Sequence, residues 1–130
     1  MNQKGSAVLE MALILPFLLM LLFGIIEFSR VLSVKQVITN AAREGARAGA
    51  VDLNDLGALT KAQDVSQSYL TSTGMELNKA TIKPSFVQAG GSAALRVVID
   101  YRYDSILTTW IPGVPTTFTL ESAAIMRRES

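Results

Sequence analysis

Residues 11–26, MALILPFLLMLLFGII, carry no charged, hydroxyl or amide side chain, and this uninterrupted apolar block is the strongest pattern in the chain. Extended back to Ser6 it comprises 21 residues, of which Glu10 alone is charged. As a helix rising 1.5 Å per residue, that stretch covers about 32 Å, close to the roughly 30 Å of bilayer hydrocarbon. It predicts one membrane span. Beyond Glu27 the pattern becomes amphipathic, with Phe28, Val31, Val34, Ile38, Ala41, Ala42, Gly45, Ala48 and Gly49 recurring every three or four residues and no proline interrupting them. A helix over residues 6–50, about 68 Å long, therefore projects past the bilayer as a stalk. Pro16 has no N–H for the Ala12 carbonyl, so a kink or loosened turn is expected inside the span.

The later residues switch period. Leu59, Ala62, Val65, Tyr69 and Leu70 predict a short helix over 58–72, with Gly74 as its stop. From Ala93 to Tyr103 the chain alternates, placing Leu95, Val97, Ile99, Tyr101 and Tyr103 on one face of a strand. Gly90-Gly91 suits a two-residue hairpin turn, which pairs Phe86 with Leu95, Pro84 with Val97 and Ile82 with Ile99. All six lie on one face, so turn and pattern agree. Pro84 cannot donate to a ladder and assigns 80–88 to a sheet edge. A third strand over 116–127 aligns Phe118, Leu120, Ala124 and Met126. The expected fold is α+β: a long N-terminal transmembrane and stalk helix packed on a small three-stranded antiparallel sheet, with one additional short helix.

Composition narrows the chemistry. Of 130 residues, 49% are hydrophobic and 18% charged, the latter below the roughly 25% of soluble domains. Counting apolar residues with glycine, 70 of 130 exceeds the usual share of about 45–50%, and removing residues 6–26 leaves an ordinary 52 of 109, so the apolar excess belongs to the span. The chain has no cysteine and no histidine, which excludes Cys/His metal sites, haem ligation, cysteine nucleophiles and Ser-His-Asp triads. No acidic pair at a recognisable spacing replaces them, and the chain is expected to be no enzyme and to need no cofactor or metal. The net charge of +1 lacks the basic excess that nucleic-acid binding requires.

Three local features have structural explanations. Asp52, Asn54 and Asp55 lack the remaining ligands and glycine of a calcium loop and read as a solvated turn. Trp110, in TTWIPGVP, reads as cover for the sheet edge in preference to an exposed contact anchor. Arg127 and Arg128 read as solubilising the end of a strand in preference to meeting lipid headgroups. The small residues Ala41, Gly45 and Gly49 form a candidate helix-packing face, open to another backbone; packing on the chain's own sheet is the preferred use.

Glu10 is the sharpest functional lead, because a carboxylate within an apolar span costs about 2.5–3.5 kcal/mol on insertion scales and calls for a partner. A short polar leader with Lys4 precedes it, in KGSAVLE. Cleavage after Gly5 would leave a cationic amine at Ser6, about one turn from Glu10, able to pair with a carboxylate on a staggered neighbour. Snorkelling of Glu10 to the headgroups is the simpler use. An ordinary secretory signal fits less well, since EFSRVLSVKQ follows the span without a small-x-small site.

The arrangement resembles the class III signal of type IV prepilins. More closely, GSAVLEMALILPFLLMLLFGIIEFSR, AAREGARAGA at 41–50 and SAAIMRRES at 122–130 resemble the TadE-like family of the Tad (tight adherence) pilus system. The resemblance covers a little under half of the chain. It implies a five-residue prepilin leader, a prepilin peptidase cutting between Gly5 and Ser6, Glu10 as assembly residue, and partners among other pilin-like subunits and the pilus assembly platform. It further implies a minor pilin or pseudopilin, single-pass in the bacterial inner membrane, with residues 51–130 an exported domain reaching a pilus or the cell surface. Arg30, Lys35, Arg43 and Arg47 after the span favour the opposite orientation by the positive-inside bias; prepilin-type processing, which needs a cytoplasmic leader, outweighs it. A permanent single-span anchor with an exported ligand-binding domain, and a pseudopilin of a secretion system, remain open alternatives.

Overall fold

The computed structural model describes residues 3–110 and 112–128. The fold is α+β. Helix α1 spans Gln3–Ala50 and α2 spans Asp55–Ser72. Strands β1 (Ala80–Ala89), β2 (Ser92–Asp104) and β3 (Thr117–Arg127) form one antiparallel sheet in the order β1-β2-β3. Two single 3-10 turns, Leu77–Lys79 and Thr108–Trp110, fall in connections that carry no periodic signal.

Helix α1 is 48 residues long, roughly 72 Å at 1.5 Å per residue. The helical assignment continues through Pro16. Its two halves meet different surroundings. Every described residue from Gly5 to Phe23 is exposed, whereas Ile38, Ala41, Ala42, Gly45, Ala46, Gly49 and Ala50 are buried. The core therefore sits against the last third of α1, where α2, β2 and β3 pack on it.

Helix α2 starts at Asp55, three residues before the periodic pattern, because Asn54 caps it: its Oδ1 accepts from the Leu56 N–H at 3.1 Å. Asp52 Oδ1 in turn accepts from the Asn54 N–H at 3.0 Å. The acidic turn thus organises a helix start. At the other end Gly74 adopts φ 77°, its N–H reaches the Thr71 carbonyl, and the Met75 N–H reaches the Leu70 carbonyl at 2.9 Å. This left-handed cap satisfies carbonyls that the helix leaves open.

Gly90 and Gly91 both have positive φ, as a two-residue hairpin turn compatible with strand twist requires. The resulting register pairs Phe86 with Leu95, Pro84 with Val97 and Ile82 with Ile99, matching the expectation from sequence. Pro84 lies on an edge strand. In the second ladder Phe118, Leu120, Ser122, Ala124 and Met126 pair with Tyr103, Tyr101, Ile99, Val97 and Leu95, so the same face continues across all three strands. Leu95, Val97, Ile99, Tyr101 and Tyr103 are buried beneath the helices.

Polar contacts pin the layers together. Thr39 Oγ1 meets the buried Ser122 Oγ at 2.8 Å, and Lys35 Nζ donates to the Glu121 carbonyl, joining α1 to β3. Arg128, expected only to solubilise a strand end, clasps the other side: it donates to Asp55 Oδ1 at 2.6 Å and to the Asp52 carbonyl at 2.9 Å. Its guanidinium also lies 5.0 Å from the centre of the Phe86 ring.

The small-residue face is filled by α2. A Cβ on Gly45 would collide with Ser66 Oγ and stand 2.7 Å from the Ala62 carbonyl oxygen. One on Gly49 would collide with Leu95 and stand 2.5 Å from the Ala58 carbonyl oxygen. Buried Ser66 donates to the Ala41 carbonyl across the same seam at 3.2 Å. The partner at Gly45 and Gly49 is thus chiefly the second helix, with Leu95 of the sheet also against Gly49, because the glycines admit a helix backbone that larger residues hold off.

Two opposed effects decide what Gly45→Ala does. Alanine gains roughly 0.5–1 kcal/mol in helix propensity, while overpacking against a backbone carbonyl costs about 1–3 kcal/mol. The clash is expected to win, lowering the unfolding midpoint of the domain in detergent. Gly24→Ala, where a Cβ meets nothing within 4 Å, is expected to leave it unchanged.

Candidate functional site

The residues singled out from sequence fall at opposite ends of α1. Gly5 and Ser6 lie in its first turns, and Glu10 is exposed about 6 Å further along the axis. A Cβ on Gly5 would meet nothing within 4 Å. Glu10 has no hydrogen bond or ion pair among the described residues. Ala41, Gly45 and Gly49 stand roughly 46 Å or more beyond Glu10 along the helix and are buried in the domain. The structure therefore separates an exposed apolar end, which carries Gly5, Ser6 and Glu10, from a folding end. Pro16 lies between them, within the apolar segment. The Trp110 side chain is outside the described residues.

What α1 presents between these ends is apolar on every side. Val8, Leu9, Met11, Leu13, Phe17 and Leu18 are each at least 60% exposed, and large apolar side chains stay exposed to Leu32. An isolated helix of this kind is incompatible with water and compatible with lipid or with other helices. A single carboxylate in that surface, Glu10, is suited to recognising a cation in a neighbouring helix.

A second arrangement, not legible in the sequence, closes the base of the domain on the helix. Glu27 marks the end of the apolar span, and its side chain is only 14% exposed. Glu27 Oε1 accepts from the Ile106 N–H at 3.2 Å, and Arg30 stands 3.9 Å away on the next turn. Tyr103, 4% exposed, points its hydroxyl into the same corner, where that oxygen is buried without a hydrogen-bond partner. Burial raises the phenol above its ordinary range; the Arg30 charge opposes this, and the Glu27 carboxylate adds to it through its charge and as a loosely placed acceptor for the hydroxyl. Tyr103 is visible as the last member of an alternating strand face and Glu27 as the end of an apolar run. Nothing local in the sequence links residues 79 apart in this way. Among the described residues no group of three His, Cys, Asp or Glu side chains is placed to hold a metal ion.

Two consequences of this corner are measurable. Because the raised phenol pKa favours the protonated folded state, its contribution is complete below the unfolded tyrosine value of about 10 and is lost as pH rises through the folded value. Phenolate absorbance should therefore show one tyrosine titrating late, absent in Tyr103→Phe. That variant also removes a buried hydroxyl whose only acceptor within reach among the described residues is the loosely placed Glu27 carboxylate, and is expected to stay within about 1 kcal/mol of the native chain in stability.

Comparison with known proteins points to the same half of the molecule. No curated protein and no solved structure matches the chain. A family model does, over residues 5–47, and that range takes in Gly5, Glu10, the apolar span, Glu27 and most of the small-residue face. Its description is TadE-like protein, the family that the sequence motifs resemble; residues 5–47, about a third of the chain, are thus similar to TadE-like proteins, and the match does not extend over the α+β remainder.

Proposed function

We propose that this chain is a non-catalytic, pilin-like structural subunit, a minor pilin or pseudopilin, that is inserted in the membrane, processed after Gly5 and assembled into a Tad-type pilus or primes its assembly for surface adhesion. The observation that carries the proposal is that the TadE-like segment contains both an apolar helix exposed on every side and the buried stretch that holds the domain. Such a chain is built to present a folded unit on a helix that changes its apolar surroundings. In lipid the hydrophobic effect gives no preference for helix over acyl chain, so packing and polar pairing select the partner. Glu10 serves that selection by neutralising the Ser6 amine of a neighbouring subunit. Once the helices leave lipid, the same apolar surface opposes their separation into water.

In this mechanism the prepilin peptidase acts on the leader, the assembly platform receives the mature chain, and other pilin-like subunits are the permanent partners. The domain is exported and the leader is cytoplasmic. No step requires a catalytic residue of this chain.

Two substitutions separate processing from assembly. Gly5→Ile, at a position open to a side chain, is expected to fold normally and to keep its five-residue leader; mass spectrometry of the native-membrane protein showing a start at Ser6 would contradict the cleavage assignment. Glu10→Ala is expected to insert normally, because it removes an insertion cost of about 2.5–3.5 kcal/mol, while incorporation into pili falls. Equal recovery of the variant and native chain in sheared pili would show the carboxylate to be a passenger. A native chain that begins at Met1 would favour a permanent anchor.

A further inference from the structure

Beneath the domain, where the β2–β3 connection begins, lies an open groove of about 760 Å³ lined by Met20, Phe23, Ile26, Glu27, Arg30, Ile106 and Leu107. Its wall is almost wholly apolar. Phe23, Ile26 and Ile106 are each about half exposed, at 56%, 48% and 57%. Ile106 is held in place by its own amide, which donates to Glu27 Oε1 at 3.2 Å.

We propose that this groove is a phospholipid site, with an acyl chain lying between α1 and Leu107, and that Ile106 and Leu107 form a second membrane contact that seats the domain on the bilayer surface. The proposal rests on the reading of residues 6–27 as a membrane span. Given that span, the Glu27–Ile106 hydrogen bond puts the β2–β3 connection at the level where the apolar helix ends. The groove then runs from that level to Met20, about 10 Å deeper along the helix, and its floor is continuous with the lipid-facing surface. Water fits poorly there, since a water molecule needs two or more polar partners. The polar groups are confined to the upper rim. The Arg30 guanidinium, with its side chain 47% exposed, is placed to meet a phosphate. The Glu27 carboxylate, which would repel one, is engaged by the Ile106 amide and by Arg30 itself. The connection continues as TTWIPGVP, bringing in a tryptophan, a residue enriched at membrane interfaces.

The chain has one tryptophan, so Trp110 is a built-in probe three residues from Leu107. The full chain is reconstituted in phosphatidylethanolamine/phosphatidylglycerol vesicles whose acyl chains carry bromine either near the headgroup or near the bilayer centre. Trp110 emission is expected to be quenched, more by the shallow than by the deep bromines. Ile106→Asp combined with Leu107→Asp is expected to abolish most of that quenching, and Ile106→Ser alone, at an exposed position, to reduce it. A companion chain carrying Trp110→Phe and Phe17→Trp reports the span separately and is expected to favour the deep bromines, with or without the aspartates. Quenching of the companion while Trp110 escapes both lipids would overturn the lipid contact and leave the span standing. Escape of both would overturn the span and the contact with it. Trp110 quenching unchanged by the paired aspartates would remove Ile106 and Leu107 as the anchor. A Trp110 emission shifted to the blue only at high protein-to-lipid ratio, without quenching, would put a second copy of the chain in the groove in place of lipid.

Discussion

One helix in two solvents is the constraint on which the rest of this structure depends. Up to Phe23, α1 has large apolar side chains exposed on all sides; from Ile38 onward it is amphipathic and forms one wall of a small core. The helix runs unbroken through the transition. The side chains alone change, from bulky residues that need hydrocarbon to alanines and glycines that let another backbone approach.

That second requirement explains how a remainder of about 80 residues makes a core. A sheet of three strands covered on one face needs a layer above it, and α2 by itself reaches mainly β1. The end of α1 covers β2 and β3, and its close approach to α2 brings both helices onto a single sheet face. Gly45 and Gly49 permit the approach, and Ser66 uses it to satisfy its buried hydroxyl on the Ala41 carbonyl. Domain and membrane helix are consequently one mechanical unit. Glu27, Arg30 and Ile106 add one further hydrogen bond and an ion pair where the apolar run ends.

Much of this was legible in residue order. The hairpin register followed from two glycines and an alternating strand, since a slip of one residue would turn Leu95, Val97 and Ile99 to the other face. The span and the isolated carboxylate of Glu10 were equally direct. The role of Arg128 was not: its partners Asp52 and Asp55 lie more than 70 residues away, and a basic residue at a strand end has many uses. Likewise the glycine face had the spacing for any close backbone partner, and the chain's own sheet was the expected surface where α2 in fact fills it.

The sequence by itself determined what depends on period, turn chemistry and solvent preference: the element order, the β1–β2 register, the strand faces, the membrane-length helix and its one buried-charge problem. Those properties are local, and each is set by neighbours within a turn or a pleat. Tertiary structure alone decided which partner fills the glycine seam, that Arg128 clasps the α2 start, and that Tyr103, Glu27, Arg30 and Ile106 meet below the sheet. These are meetings of distant segments, governed by how layers pack after the elements exist, and side-chain order along the chain carries no direct record of them.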